Sequence, residues 1–200
     1  TKLMTIVSWA LLVSLHHRNP VILQSGDFLI RCILFWLIFV QAGSCYSVDA
    51  AFRRHRQSKH QFTFPGVVLM LQVALMYLFA ASLKNSPIWW PEGTATYYTL
   101  QLDQYTTPFG SWLGQFFQLN KILTFSVLFM EWLAAPLLLA PLFFGIKLGR
   151  LVRLITILVL VGMHLGFAAS LYIGLFPWID LVSLLIFLPT FFWDRICCYL

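Results

Sequence analysis

The chain has 200 residues, of which 60% are hydrophobic and only 10% charged, with a formal net charge of +6 and a mean hydropathy of +0.82. An ordinary soluble domain carries roughly 25% charged residues, so composition argues against a water-soluble fold. Several apolar runs reach roughly the 20 residues that cross a hydrocarbon core of about 30 Å, while the short alternating segments of a transmembrane barrel are absent. The expectation is an all-α polytopic transmembrane helix bundle with the lipid bilayer as its solvent. The positive charge then reads as loop topology rather than as a nucleic-acid surface, and no nucleic-acid partner is expected.

Residues 3–15 form a helix candidate somewhat short for a full span, closed by His16, His17, Arg18, Asn19 and Pro20. The two histidines are adjacent and point in different directions on a helix, against a chelating pair. Ser25 or Asp27 can cap the next helix. Arg31 follows Asp27 by four residues and can pair with it one turn on. The second span covers about Phe28 to Val48. Its exit is basic, with Arg53, Arg54, Arg56 and Lys59 interleaved with His55 and His60, the signature of a loop retained in the cytoplasm.

The third span runs from about Pro65 to Leu83 and delivers Lys84 to the other side. From Asn85 to Asn120 the sequence is too polar and interrupted to span. Its Trp89, Trp90, Tyr97, Tyr98, Tyr105, Trp112, Phe116 and Phe117 suit an interfacial or re-entrant aromatic segment between the third and fourth spans. A fourth span from Lys121 to about Phe144 contains Glu131, with Pro136 and Pro141 expected to kink or break it. Lys147, Arg150 and Arg153 form a second basic loop. A fifth span, Leu151 to Ile173, carries His164 between Gly162 and Gly166, where its helix can approach a neighbour closely. A Gly174 to Pro177 turn leads to a sixth, about Trp178 to Trp193. Placing loops 53–59 and 147–153 in the cytoplasm puts the Lys84 loop on the extracytoplasmic face.

Cys32, Cys45, Cys197 and Cys198 show no metal-ligand spacing, and no disulfide framework or metal site is expected. Cys197 and Cys198 read as apolar fillers or as a juxtamembrane palmitoylation site. The apolar run begins almost at Thr1 with no signal-peptide pattern before it, so residues 1–200 read as one transmembrane domain truncated at its N-terminus.

Ionisable groups inside a bilayer are costly and are functional candidates by default. Arg31, Glu131, His164 and Asp180 fall within or at the edge of spans; Asp27, Lys84, Glu92 and Asp103 fall in the extracytoplasmic layer. Lys84 at a helix end has two readings: a snorkelling anchor, or an amine folded inward, where lost hydration favours the neutral form that accepts a proton. Glu131 reads as a group hydrogen-bonded across helices or as a proton carrier. His164 reads as an interhelical hydrogen-bonding residue or as a ligand. Gly93-Thr94-Ala95 supplies small side chains after the Trp89 to Glu92 belt.

Taken together, SLHHRNPVILQSGDFLIR, the run from Phe35 ending AGSCYSVDA, LKNSPIWWPEGTATYYTL and HLGFAASLYIGLFPWIDL resemble the horizontally transferred transmembrane (HTTM) family, which includes the membrane region of vitamin K-dependent gamma-carboxylases. The resemblance implies a pocket facing the lumen or periplasm. It implies reduced vitamin K or another quinone as cofactor, and chemistry of proton abstraction with carboxylation or epoxidation. It places the lysine base on Lys84, or on Asn85 when aligned without a gap on Trp90-x-Glu92-Gly93, and His164 in the same pocket. The resulting assignment makes Lys84, His164 and Glu92 catalytic and Asp27, Arg31, Trp90 and Tyr97 substrate-binding. A quinone or lipid-like small molecule is the expected ligand, and no protein substrate is specified. The alternative is a membrane transporter or a scaffold in an envelope complex.

Overall fold

A computed structural model describes residues 1–40, 43, 47–52, 63–189, 192 and 193. The basic loop 53–59, Cys45, Cys197, Cys198 and the 194–195 end lie outside the described residues. Those residues are helical: α1 (Lys2–Arg18), α2 (Ser25–Leu37), α3 (Val48–Ala51), α4 (Phe64–Leu83), α5 (Ala95–Thr99), α6 (Pro108–Leu113), α7 (Phe117–Leu138), α8 (Ile146–Ser170) and α9 (Phe176–Leu184), with short 3-10 turns at Pro20–Ile22, Ala140–Leu142 and Leu185–Phe187. Two compact units divide at Gln72/Val73, inside α4.

In the first unit α1 packs on α2, with Trp9 against Phe35 at 5.6 Å. The start of α2 is fixed by Gln24, whose backbone N–H donates to Asp27 Oδ2 at 2.8 Å. The cap position is therefore Gln24 rather than Ser25, and Asp27 closes the first turn from its third position. His16 is buried and His17 exposed, as expected of neighbours on a helix. His16 Nε2 lies 3.9 Å from Asp27 Oδ1. Arg31 turns over the Phe28 ring at 4.8 Å, and no Asp27–Arg31 ion pair forms among the described residues.

Among the described residues three helices are long and apolar enough to cross a membrane: α4 with 20 residues, α7 with 22 and α8 with 25. At about 1.5 Å per residue the shortest is about 30 Å long. The expected fourth span moves to α7, starting at Phe117 and ending at Leu138. Asn120 anchors its first turn by donating from Nδ2 to the Leu113 and Phe116 carbonyls, both at 2.9 Å. Arg153, on α8, donates from Nε to the Leu138 carbonyl at 2.6 Å, satisfying an orphan acceptor at the C-terminus of α7. The expected fifth span begins earlier, so Lys147 and Arg150 lie inside α8. The expected sixth span is a shorter apolar helix, Phe176–Phe187, which gives way to extended backbone at Leu188 ahead of Pro189.

The second unit buries polar groups among its apolar core residues and turns a wide apolar surface outward. Asn120, Thr124 and Asp180 are completely inaccessible, while Phe79, Leu158 and Val182 are each 64–70% exposed. Buried polar groups gain nothing from water exclusion, and a wide apolar exterior is unfavourable in water; both suit a bilayer. The segment between α4 and α7 ties the ends of two long helices. Thr96 N–H donates to Thr124 Oγ1 at 3.0 Å, holding α5 on α7. Thr107 donates from Oγ1 to the Ala169 carbonyl at 2.6 Å and from its backbone N–H to the Ser170 carbonyl at 3.0 Å, closing the end of α8.

Candidate functional site: a buried ion pair in an apolar cavity

The C-terminal end of α4 does not stop level with the start of α7. Lys84 Nζ donates to Glu131 Oε2 at 2.5 Å, and Glu131 sits about fourteen residues, or about 21 Å, beyond Phe117 along α7. Asn85 to Thr94 then runs back beside α7, with Trp90 packed on Phe125 and Phe129 at 5.6 and 6.2 Å and Thr96 reaching Thr124. Gly93 takes φ 69° here, next to the Phe125 ring, a backbone region that glycine enters without strain. Lys84 is thus folded inward. Its side chain is 20% exposed and that of Glu131 8%; the ammonium also donates to the Ala80 carbonyl at 3.3 Å and faces the Trp89 ring at 5.1 Å. Asn85 is exposed. Of the two positions the family resemblance offers for the base, Lys84 is the one with a buried partner.

The pair forms part of the wall of a cavity of about 690 Å³. Leu123, Val127 and Met130 of α7 face it, and so do Val159, Met163 and Phe167 of α8, with Leu100, Phe109 and Leu113 from the intervening segment. Among the described lining residues Lys84 and Glu131 carry the only charges, and they neutralise one another. Its volume lies in the range of pockets that enclose small organic ligands, roughly 300 to 1,000 Å³.

Behind this wall lies a second polar cluster. Phe167 and Phe176, both lining residues, pack on the His164 ring at 5.8 and 5.9 Å. His164 is 2% exposed and Asp180 fully buried. The Tyr77 hydroxyl lies 3.0 Å from His164 Nε2, and Asp180 Oδ2 is 3.6 Å from Nδ1, longer than a hydrogen bond. With the Tyr77 hydroxyl donating into Nε2, the ring proton of a neutral imidazole sits on Nδ1 and faces Asp180.

Family membership rests on a different observation. The HTTM domain model matches residues 24–192. The chain belongs to the HTTM family. No curated protein matches it, and no solved structure does. The apolar helices α4, α7 and α8 give this HTTM chain the character of a membrane protein.

The expected site residues separate on this scaffold. Lys84 meets the cavity, and His164 backs it. Glu92 is exposed, its Oε2 accepting from Thr94 Oγ1 at 3.3 Å, and does not line the cavity. Trp90 is 59% exposed; Trp89 takes the lining position instead. Tyr97 lies against Phe117 at 5.0 Å and borders a smaller cleft with Asp103 and Ser111. Asp27 and Arg31 belong to the first unit, where their contacts are local. Gly162 and Gly166 do not serve close helix packing as expected: a Cβ at either position meets nothing within 4 Å, and both border the cavity.

Two residues gained roles that the sequence reading did not give them. Glu131 was recognisable as an acidic group in a span but not as the partner of Lys84. Tyr77 shares a buried face of α4 with Val73, Ala74 and Ala81, seven residues and thus about two turns before Lys84. That spacing was the available signal.

Proposed function

We propose that this HTTM-family protein binds a quinone-like or lipid-like small molecule in the cavity of its second unit and moves a proton at the ligand's head through Lys84 and Glu131. The observation that carries this reading is the Lys84–Glu131 contact at 2.5 Å, set in a wall that is mostly apolar and otherwise uncharged. A structural ion pair has no need of a cavity beside it. A ligand with an ionisable O–H has need of a paired donor and acceptor with little water nearby.

The residues fit such a group. Because Lys84 and Glu131 balance each other, a phosphate headgroup would find no free countercharge, whereas an uncharged hydroxyl or carbonyl head can hydrogen-bond to either. When bound, a reduced quinone supplies an acidic O–H and a route to oxygen chemistry. Lys84 passes its proton to Glu131 Oε2, and the neutral amine then takes a proton from the O–H at the ligand's head. Lys84 would be left charged again beside the ligand's oxygen, with Glu131 neutral.

The membrane arrangement completes the proposal. Six membrane segments, with Asn85 to Asn120 as a re-entrant or interfacial layer, would put the cavity on the extracytoplasmic side, with loop 53–59 and the basic start of α8 at 147–153 in the cytoplasm. Non-helical backbone beside α7 at this depth is tolerable where it lines a cavity.

The test is turnover of a reduced naphthoquinone by the full-length protein in liposomes. Lys84→Ala is expected to abolish it. Unchanged turnover in Lys84→Ala would remove the pair from chemistry and favour a transporter or an envelope scaffold in which it is structural.

A further inference from the structure

Not all glycines in the second unit do the same work. A Cβ at Gly110 would collide with the Ser170 backbone, and one at Gly149 with the backbone of Ala140 and Pro141; both are glycine because another chain segment passes there. Gly162 and Gly166 are different. They lie inside α8, where glycine is unfavourable, and no described atom occupies the space a side chain would take. A close helix crossing, the usual reason for Gly-x-x-x-Gly in a membrane helix, is therefore missing.

What lies in front of them is the cavity. Gly162, Gly166 and Ser170 all line it, and their four-residue spacing stacks them on one face of α8. The two glycines expose a strip of bare helix about 6 Å long at about 1.5 Å per residue, continued by the small Ser170. Val159, Met163 and Phe167 line the same cavity from the adjoining row. On the α7 side stand Leu123, Val127 and Met130, with the Lys84–Glu131 pair in the same wall.

We infer that Gly162 and Gly166 are specificity-determining positions: by leaving the α8 backbone bare, they set the bulk of the ligand body that the cavity accepts. The inference rests on the cavity being a ligand site, as proposed above. Leucine at both positions would fill the strip and leave room only for a slim chain, without touching Lys84 or Glu131.

Because the space is open, the test variants are expected to fold. Trp89 lines the cavity, so the quenching of its fluorescence reports occupancy, with Trp89→Phe identifying its share of the signal. Two probes are titrated into protein in nanodiscs: a naphthoquinone with a single prenyl tail, and a brominated straight-chain alcohol. For Gly162→Leu/Gly166→Leu the naphthoquinone is expected to bind at least tenfold more weakly than to the wild type, and the alcohol within about twofold. The Gly162→Ala/Gly166→Ala protein is expected to fall between. Equal naphthoquinone affinity in wild type and the leucine variant, with both probes weakened by Lys84→Ala, would overturn the glycine assignment and leave the ligand site standing. Loss of a dimer in the leucine variant with unchanged probe binding would also overturn it, assigning the strip to helix association. Absence of any Trp89-dependent quenching in the wild type would sink the ligand site, and this inference with it.

Discussion

Lys84 and Glu131 are costly to bury singly and acceptable together. Removing one member of a buried pair leaves an uncompensated charge, at a cost of about 3 to 5 kcal/mol, whereas replacing both by apolar residues is often neutral. Lys84→Met and Glu131→Leu are each expected to destabilise the protein by about that much, and the double variant by far less, as measured by reversible unfolding in mixed micelles. Equal and additive losses would mean that the two groups do not interact. Tyr77→Phe is expected to cost about 1 kcal/mol through loss of its hydrogen bond to His164. At this scale the sequence showed which residues to watch, since Lys84, Glu131, His164 and Asp180 stand out as ionisable groups in apolar runs. It could not show the pairs, because Lys84 reaches Glu131 only through the depth at which α4 ends against α7. Glu92 and Trp90 were assigned by motif, and a motif says nothing about exposure.

Among the elements, the connection from α4 to α7 carries a strain-sensitive position. Gly93 has φ 69°, and an added Cβ would enter the Phe125 ring. Gly93→Ala is expected to destabilise by about 1 to 3 kcal/mol, while Gly162→Ala, in open helix, is expected to be neutral or stabilising by up to about 1 kcal/mol. Comparing the two unfolding midpoints checks both, and a Gly93→Ala protein as stable as the wild type would contradict the positive-φ turn. Element boundaries were legible where apolarity alone sets them: α4 was expected from Pro65 and starts at Phe64. They were not legible where side chains tie the ends. Asn120 extends α7 backwards to Phe117, Arg153 closes it at Leu138, and hydropathy is blind to both.

For the molecule as a whole, charge and hydropathy pointed to a membrane protein, and the HTTM match established the family. The second unit agrees with that reading through its wide apolar exterior and the polar groups buried within its core. Thr107 closes the C-terminal end of α8 and Arg153 lies near its other end, so the aromatic layer and the basic 147–153 stretch belong to opposite ends of that helix. Single cysteines at Glu92 and at Lys147 are therefore expected to react with impermeant maleimide from opposite faces of sealed vesicles; labelling of both from one face would contradict the proposed topology. The cavity itself was beyond the sequence, because it arises where residues of α7, α8 and the segment between α4 and α7 come together.

The measurement that bears most directly on the proposed site is mass spectrometry of small molecules retained by the protein purified in mild detergent. The cavity with its balanced pair predicts an amphiphile with an uncharged polar head, at roughly one per chain, retained by the wild type and lost from Lys84→Ala. Retention of phospholipid alone, or the same retained molecule in both proteins, would contradict it.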